Sequence, residues 1–197
     1  MSEDIGKSKK VPKLRFPGFT DAWEQRRLGE FVRRISEYSE DEGLPRINYE
    51  DIVSGEGRLN KDVFNRQDNR RGIHFKKDNI LYGKLRPYLQ NWILASFEGV
   101  AVGDFWGIDV LKENPKFVYY LIQTEFFGKI TNETTGTKMP RADWGKVSNT
   151  SFFLPINDEQ QQIGQFFELL DHHITVQQRK LDHLKLRKKA LLQQMFV

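Results

Sequence analysis

The 197-residue sequence contains no cysteine. That excludes a disulfide framework and any thiolate metal site. It holds four histidines. His172, His173 and His183 do not stand at i,i+4 spacing to one another, so they read as ordinary helix residues rather than ligands. No apolar run approaches the roughly 18 residues a membrane helix needs. The opening MSEDIGKSKKVPK is polar and lacks the apolar stretch of a signal peptide. A soluble cytoplasmic protein with no membrane partner is the expectation. Catalytic signatures are missing as well. There is no G-x-x-x-x-G-K-[ST] phosphate loop, no G-x-G-x-x-G, no G-x-S-x-G and no H-E-x-x-H. The Asp-x-Lys or Glu-x-Lys pair of many metal-dependent nucleases occurs nowhere. An enzyme would have to assemble its site from scattered residues, so binding is favoured over catalysis.

What is present is aromatic and charged. Fifteen Phe and four Trp, with 38% hydrophobic residues overall, can build one domain core with an appendage. Net charge is +4, but the charges are segregated. Residues 30–57 carry eight acids and three bases; residues 58–90 carry nine bases and three acids. Such blocks create a local positive field that attracts phosphates, or they pair with each other across an ordinary solvated surface.

Along the chain, residues 1–12 read as a flexible leader. The stretch PKLRFPGFTDAWEQRRLGEF, broken by Pro17 and Gly18, reads as an extended arm that docks and leads into a domain. RINYEDIV has strand composition, FNRQDNRRGIHFKKD reads as a loop, and NILYGKLRPYL as a strand running into a turn at Pro87. WILA, VAV and WGIDVL are three β-like runs, punctuated by Glu98-Gly99 and Gly103-Asp104, which suggests a meander. NPKFVYYLIQTEFFGKI then reads as a helix with Asn114 as N-cap and Pro115 at its first position. A polar loop ending in a turn at Pro140 and a short strand, SFFLP, follow. The expected fold is mixed α+β over residues 13–157, followed by a long helix over 158–197.

That helix has Asn157 or Asp158 as its expected N-cap. Steps of four and three from Ile163 give Ile163, Phe167, Leu170, Ile174, Gln177, Leu181, Leu184, Lys188, Leu191 and Met195. Eight of these ten are apolar, a heptad pattern that marks a coiled coil. Polar Gln177 and Lys188 are positions of the kind that fix register or partner. Glu159 to Met195 spans about 55 Å, so the helix is expected to overhang a domain of this size and to pair with a helix from a second copy or another protein. No later segment of the sequence can cover it.

Three clusters set bases beside aromatics and amides. NRQDNRRGIHFKK carries Arg66, Asn69, Arg70, Arg71, Lys76 and Lys77. LYGKLRPYLQNW carries Lys84, Arg86, Tyr88 and Gln90, and in a strand Lys84 and Arg86 would share a face. GTKMPRADW places Thr137, Lys138 and Arg141 around a loop entering a helical turn. Arginine can bond guanine bidentately and amides can bond adenine, while lysines more often hold phosphate. DNA binding by Arg70, Arg71, Lys76, Lys84, Arg86, Tyr88, Thr137, Lys138 and Arg141 is the leading expectation. The rival is a scaffold whose coiled coil holds a partner while the domain binds protein or RNA.

The stretches VPKLRFPGFTDAWEQRRLGEF, ILYGKLRPYLQNWILASFEGVAVGDFWGI, PINDEQQQIGQFFELLD and QRKLDHLKLRKK resemble the specificity subunit of type I restriction-modification enzymes. The resemblance covers nearly all of the sequence after residue 10. It implies a target recognition domain that grips half of a split DNA site, and a spacer helix that forms an antiparallel coiled coil. It also implies partners: modification subunits that bind S-adenosylmethionine, and restriction subunits that use ATP and magnesium. No cofactor would then belong to this chain. Such subunits carry two recognition domains and two helices, and this sequence has one of each. The expected solution is a homodimer through the seam from Ile163 to Met195.

Overall fold

The computed structural model describes residues 11–65, 68–133 and 139–196. In chain order the elements are β1 (Glu24–Arg27), α1 (Leu28–Phe31), β2 (Val32–Arg34), β3 (Tyr38–Ser39), β4 (Arg46–Ile47), β5 (Gly72–Phe75), β6 (Ile80–Gly83), β7 (Trp92–Leu94), β8 (Gly99–Ala101), β9 (Phe105–Val110), α2 (Pro115–Leu121), α3 (Glu125–Asn132), α4 (Trp144–Asn149), β10 (Ser151–Leu154) and α5 (Asn157–Met195). The class is the expected α+β with a long final helix.

Strands β2-β9-β6-β7 form one antiparallel sheet, and β3-β5-β8-β4 form a second in which only β4 and β8 run parallel. The first sheet is buried on both faces, which is why β6 reads ILYG with no polar alternation. Ile80 and Tyr82 face a core shared with Phe31, Phe117, Phe127 and Phe152 from the helices and the β1–β10 ribbon. Leu81 faces a second core with Ile47, Phe75 and Phe105 between the two sheets.

Several local expectations fail for identifiable reasons. RINYEDIV forms only the two-residue β4, then a 3-10 turn at Tyr49–Asp51. The Asp51 carboxylate accepts the Asn48 backbone N–H at 2.8 Å, closing a capping box that strand pairing would have to break. The loop reading of FNRQDNRRGIHFKKD conceals β5, whose Ile73 and Phe75 are core residues. The three β-like runs are strands but not a meander, because β8 leaves its neighbours for the second sheet. The helix after Asn114 is capped as expected, its side chain accepting from Lys116 and Phe117, yet it breaks at Thr124, which caps α3. Asp143, not Pro140, starts α4. The N-cap of α5 is Ile156, with no side-chain capping bond.

Helix α5 is rooted in the domain and then leaves it. Glu159, Gln160 and Gly164 are buried. Gln160 accepts the Asn114 N–H at 3.0 Å and donates to the Pro155 carbonyl at 2.9 Å. Tyr120 donates to Asp171 at 2.8 Å, and Lys116 pairs with Glu168 at 2.7 Å. The arm docks on this root: Arg15 grips Glu159 through Nε at 2.8 Å and Nη2 at 2.7 Å, and Phe16 packs edge-on against Phe166. From residue 177 to 196 every position is exposed, so roughly half of a helix about 58 Å long is left uncovered by the described residues.

Candidate nucleic-acid interface

Tyr49, in the 3-10 turn after β4, stands at the centre of a loop face. Its hydroxyl accepts the Leu85 N–H at 2.9 Å and donates to the Asp104 carbonyl at 2.7 Å. Burial pushes the Tyr49 phenol well above its ordinary value, so it stays neutral and keeps both bonds. Gly83 permits this approach, because a Cβ there would lie 2.8 Å from the Tyr49 hydroxyl. Next to this clamp, Arg86 donates its N–H to the Pro140 carbonyl at 2.8 Å and Ala142 donates to the Lys84 carbonyl at 2.9 Å. Gly55 donates to the Gln90 carbonyl at 3.0 Å. The turns around residues 54–57, 84–90, 103–104 and 140–142 are thereby sewn into one surface.

This stitching unites two of the three sequence clusters. Asp104 accepts from Arg141 at 2.9 Å and pairs with Lys84 at 3.5 Å. Burial alone would raise the Asp104 carboxyl, but Arg141 and Lys84 outweigh it and hold it below its ordinary value. Among the described residues the Arg86 guanidinium has no hydrogen-bond or ion-pair partner. Its backbone is left-handed, with φ of 49°, as is that of Gln90 at 54°. The strand ends at Gly83, so Lys84 and Arg86 do not share a strand face as expected. Arg86 instead caps a 3-10 turn at Pro87–Leu89 that displays Tyr88 and Leu89 to solvent.

The first cluster divides. Arg70 lines an open cleft of about 380 Å³ with Asn48, Tyr49, Leu85 and Asp104, and so borders the same face. Its guanidinium bonds Asp68 and reaches Asn48 at 2.8 Å; through those bonds it holds the Asp68 carboxyl well below the usual range. Arg71 turns toward β3, over the Tyr38 ring at 5.3 Å and 3.8 Å from Glu40. Lys76 lines a different cleft, with Arg33, Arg34 and His74. Lys61 pairs with buried Asp51 at 2.8 Å and Asn69 bonds Glu42, so the acidic and basic blocks do pair in part. Thr137 and Lys138, with Arg66, lie outside the described residues. Sequence reading missed Tyr49 and Asp104. The Gly103-Asp104 pair signalled only a turn, and nothing local marked Tyr49 as the tie between loops.

The second surface is the seam. Ile163 is half-buried against the domain core, and Phe167 touches Tyr120 with ring centroids 5.2 Å apart. Leu170, Ile174, Leu181, Leu184, Leu191 and Met195 are exposed, Ile174 to 65% and Met195 to 74%. Among the described residues no three side chains cluster to hold a metal, and no helix is long and apolar enough to cross a membrane.

The molecule is thus a sheet-rich domain with a polar loop face and a projecting helix that carries a heptad pattern. The chain belongs to the family described as type I restriction modification DNA specificity domain, whose model matches residues 20–186. Solved structures share the fold. The HsdS subunit from Thermoanaerobacter tengcongensis aligns with a TM-score of 0.61 at 22% identity, over 91% of this chain and 49% of that one. A chain from a study of complex assembly and conformational transition of the type I R-M system gives 0.61 at 20%, over 88% and 47%. The type I restriction-modification S subunit from M. genitalium gives 0.53 at 16%, over 83% and 42%. The chain thus spans about half the length of these structures. No match is found among curated proteins.

Proposed function

We propose that this chain reads one half of a split DNA site for a type I restriction-modification system. The supporting observation is the family match, which runs through both the loop face and about the first three-quarters of α5. In this reading the face of Lys84, Arg86, Tyr88 and Arg141, with Arg70 at its edge, meets duplex DNA. Unpaired Arg86 is the best candidate for a base contact; Lys84 and Arg141, which share Asp104, suit phosphate. Arg71 and Lys76, set apart from the face, would contribute only to the wider positive field. Helix α5 pairs with the same helix of a second copy and sets two recognition domains apart, so that a two-fold assembly reads two identical half-sites. The chain is non-catalytic in this reading. Modification subunits bring S-adenosylmethionine, and restriction subunits bring ATP and magnesium.

The test is retention of duplex DNA by the complex reconstituted with modification subunits, measured against salt. The reading predicts that the logarithm of the affinity falls linearly with log salt and that a sequence preference survives competitor DNA. Retention that does not depend on salt, or none at all, would favour a scaffold for protein or RNA.

A further inference from the structure

We propose that the turn between β6 and β7 is a wedge: Tyr88 and Leu89 enter the duplex at one base step of the half-site, and the chain favours DNA that unstacks easily there. The inference rests on the DNA reading above and deepens it, by saying what an apolar tip does on a charged face and which DNA suits it.

The turn is built to hold its shape. Strands β6 and β7 pair Tyr82 with Trp92, and Gly83 donates to the Asn91 carbonyl at 2.7 Å, so both ends of residues 84–91 are anchored in the first sheet. Pro87 is buried, and α3 packs against the 3-10 turn. Leu89 donates to the Arg86 carbonyl at 2.8 Å and Gln90 to the Pro87 carbonyl at 2.9 Å. The Leu89 carbonyl also accepts from the Ser54 hydroxyl, and the Gln90 carbonyl from Gly55 at 3.0 Å. Arg86 and Gln90 bracket the tip at φ of 49° and 54°. Residues other than glycine persist in that region only where their surroundings over-determine them.

The tip of this rigid turn is apolar. Tyr88 is 57% exposed and Leu89 39%, and neither belongs to a core cluster. Among the described residues the Tyr88 hydroxyl has no hydrogen-bond partner. Exposed apolar side chains scattered singly are common on any protein. This pair is adjacent, fixed in place and set among cations. Segments 84–90, 103–104 and 140–142 bring Lys84, Arg86 and Arg141 against one acid, Asp104. Glu56, in the fourth segment of the face, is already paired with Arg58 at 2.6 Å.

A surface of that charge draws phosphate to it. A stacked duplex then offers its backbone and, in the grooves, base edges, on which the thymine methyl is the main apolar feature. The broad apolar faces of the bases are reached only where two of them part, and there an aromatic ring stacks and an aliphatic side chain fills the gap. A turn that cannot fold back, with cations to hold the backbone on either side, is suited to force such a step open. Opening is easiest at pyrimidine–purine steps. The wedge therefore discriminates by deformability, independently of the edge that Arg86 reads.

The test titrates the complex with modification subunits against duplexes that carry the motif it methylates, with a single mismatch moved step by step through the half-site. A mismatched base is already partly unstacked, so at the wedge step it should tighten binding about 10-fold. The double variant Tyr88→Ala with Leu89→Ala should lose most of that gain, and Tyr88→Phe should keep it, because the ring is kept. Both side chains are exposed, so an unchanged melting temperature shows that the fold is intact. A methyltransferase that extrudes its target base also responds to a mismatch, but at the methylated adenine and equally in every variant. On fully paired DNA, TA or CA at the wedge step should bind several-fold more tightly than AA or GC. A mismatch gain at no step, or one that the double variant retains at every step, would overturn the wedge. A loss in Tyr88→Phe as large as in the double variant and uniform over all duplexes would overturn it too, making the hydroxyl a phosphate contact. The two levels separate: no retention of any duplex defeats the DNA reading itself, while specific retention with no step that depends on Tyr88 and Leu89 defeats only this inference.

Discussion

Arg86→Gly should raise stability and destroy recognition at once. Arg86 sits at φ of 49°, a left-handed conformation that costs an L-residue about 1–2 kcal/mol. Its backbone bonds hold it there: its N–H reaches the Pro140 carbonyl and its carbonyl accepts from Leu89, both at 2.8 Å. Glycine keeps both bonds and relieves the strain, against roughly 0.5–1 kcal/mol of extra chain entropy in the unfolded state. The net gain is about 0.5–1 kcal/mol, a rise in Tm of roughly 1–4 °C for a chain of this length. If the guanidinium reads a base, its loss costs about 1–3 kcal/mol per half-site, so about 2–6 kcal/mol for a complex on two half-sites. Thermal melting and competition binding on duplexes with intact and altered half-sites measure the two effects. A lower Tm would refute the strain argument. Unchanged discrimination between the duplexes would refute the base contact, and a uniform loss on all sequences with a shallower salt slope would make Arg86 a phosphate ligand instead.

Tyr49→Phe removes the hydroxyl that joins Leu85 to Asp104; denaturant unfolding should show a loss of about 1–3 kcal/mol. Glu159→Gln leaves Arg15 against a neutral amide, and about 1.5–3 kcal/mol should be lost, with a red shift in emission from Trp23, whose indole N–H also points at Glu159. Asp68 and Asp104 both have folded-state pKa values below the ordinary carboxylate value. Their stabilisation is therefore complete above that value, near pH 4, and is lost as pH falls through it toward the folded values. Asp68→Asn and Asp104→Asn should each flatten the loss of stability measured between pH 5 and pH 2.

The long helix was legible because its heptad repeat is a one-dimensional signal that needs no knowledge of the rest of the fold. The arm was legible as something that docks, but not where, since Glu159 lies 144 residues after Arg15. The strand cut short in RINYEDIV and the strand missed at GIHF show the converse. Asn48 and Asp51 stop one strand through a local capping box, and GIHF becomes a strand because β3 and β8 flank it, which no window of sequence contains. The candidate face was half legible. Lys84, Arg86 and Arg141 could be named from composition, but their union depends on Tyr49, Gly83 and Asp104, which meet only through the fold. Arg71 and Lys76 were grouped with Arg70 by proximity in sequence, and β5 sends them elsewhere.

The most direct measurement is a genome-wide map of adenine methylation in cells that co-express this chain with modification subunits from the same source. The account predicts a split motif with two identical, inverted half-sites, altered on Arg86→Gly if a base contact fails. An asymmetric motif would mean that a different recognition domain supplies the second half. No new methylation, with all subunits soluble and assembled, would contradict a role in DNA specificity.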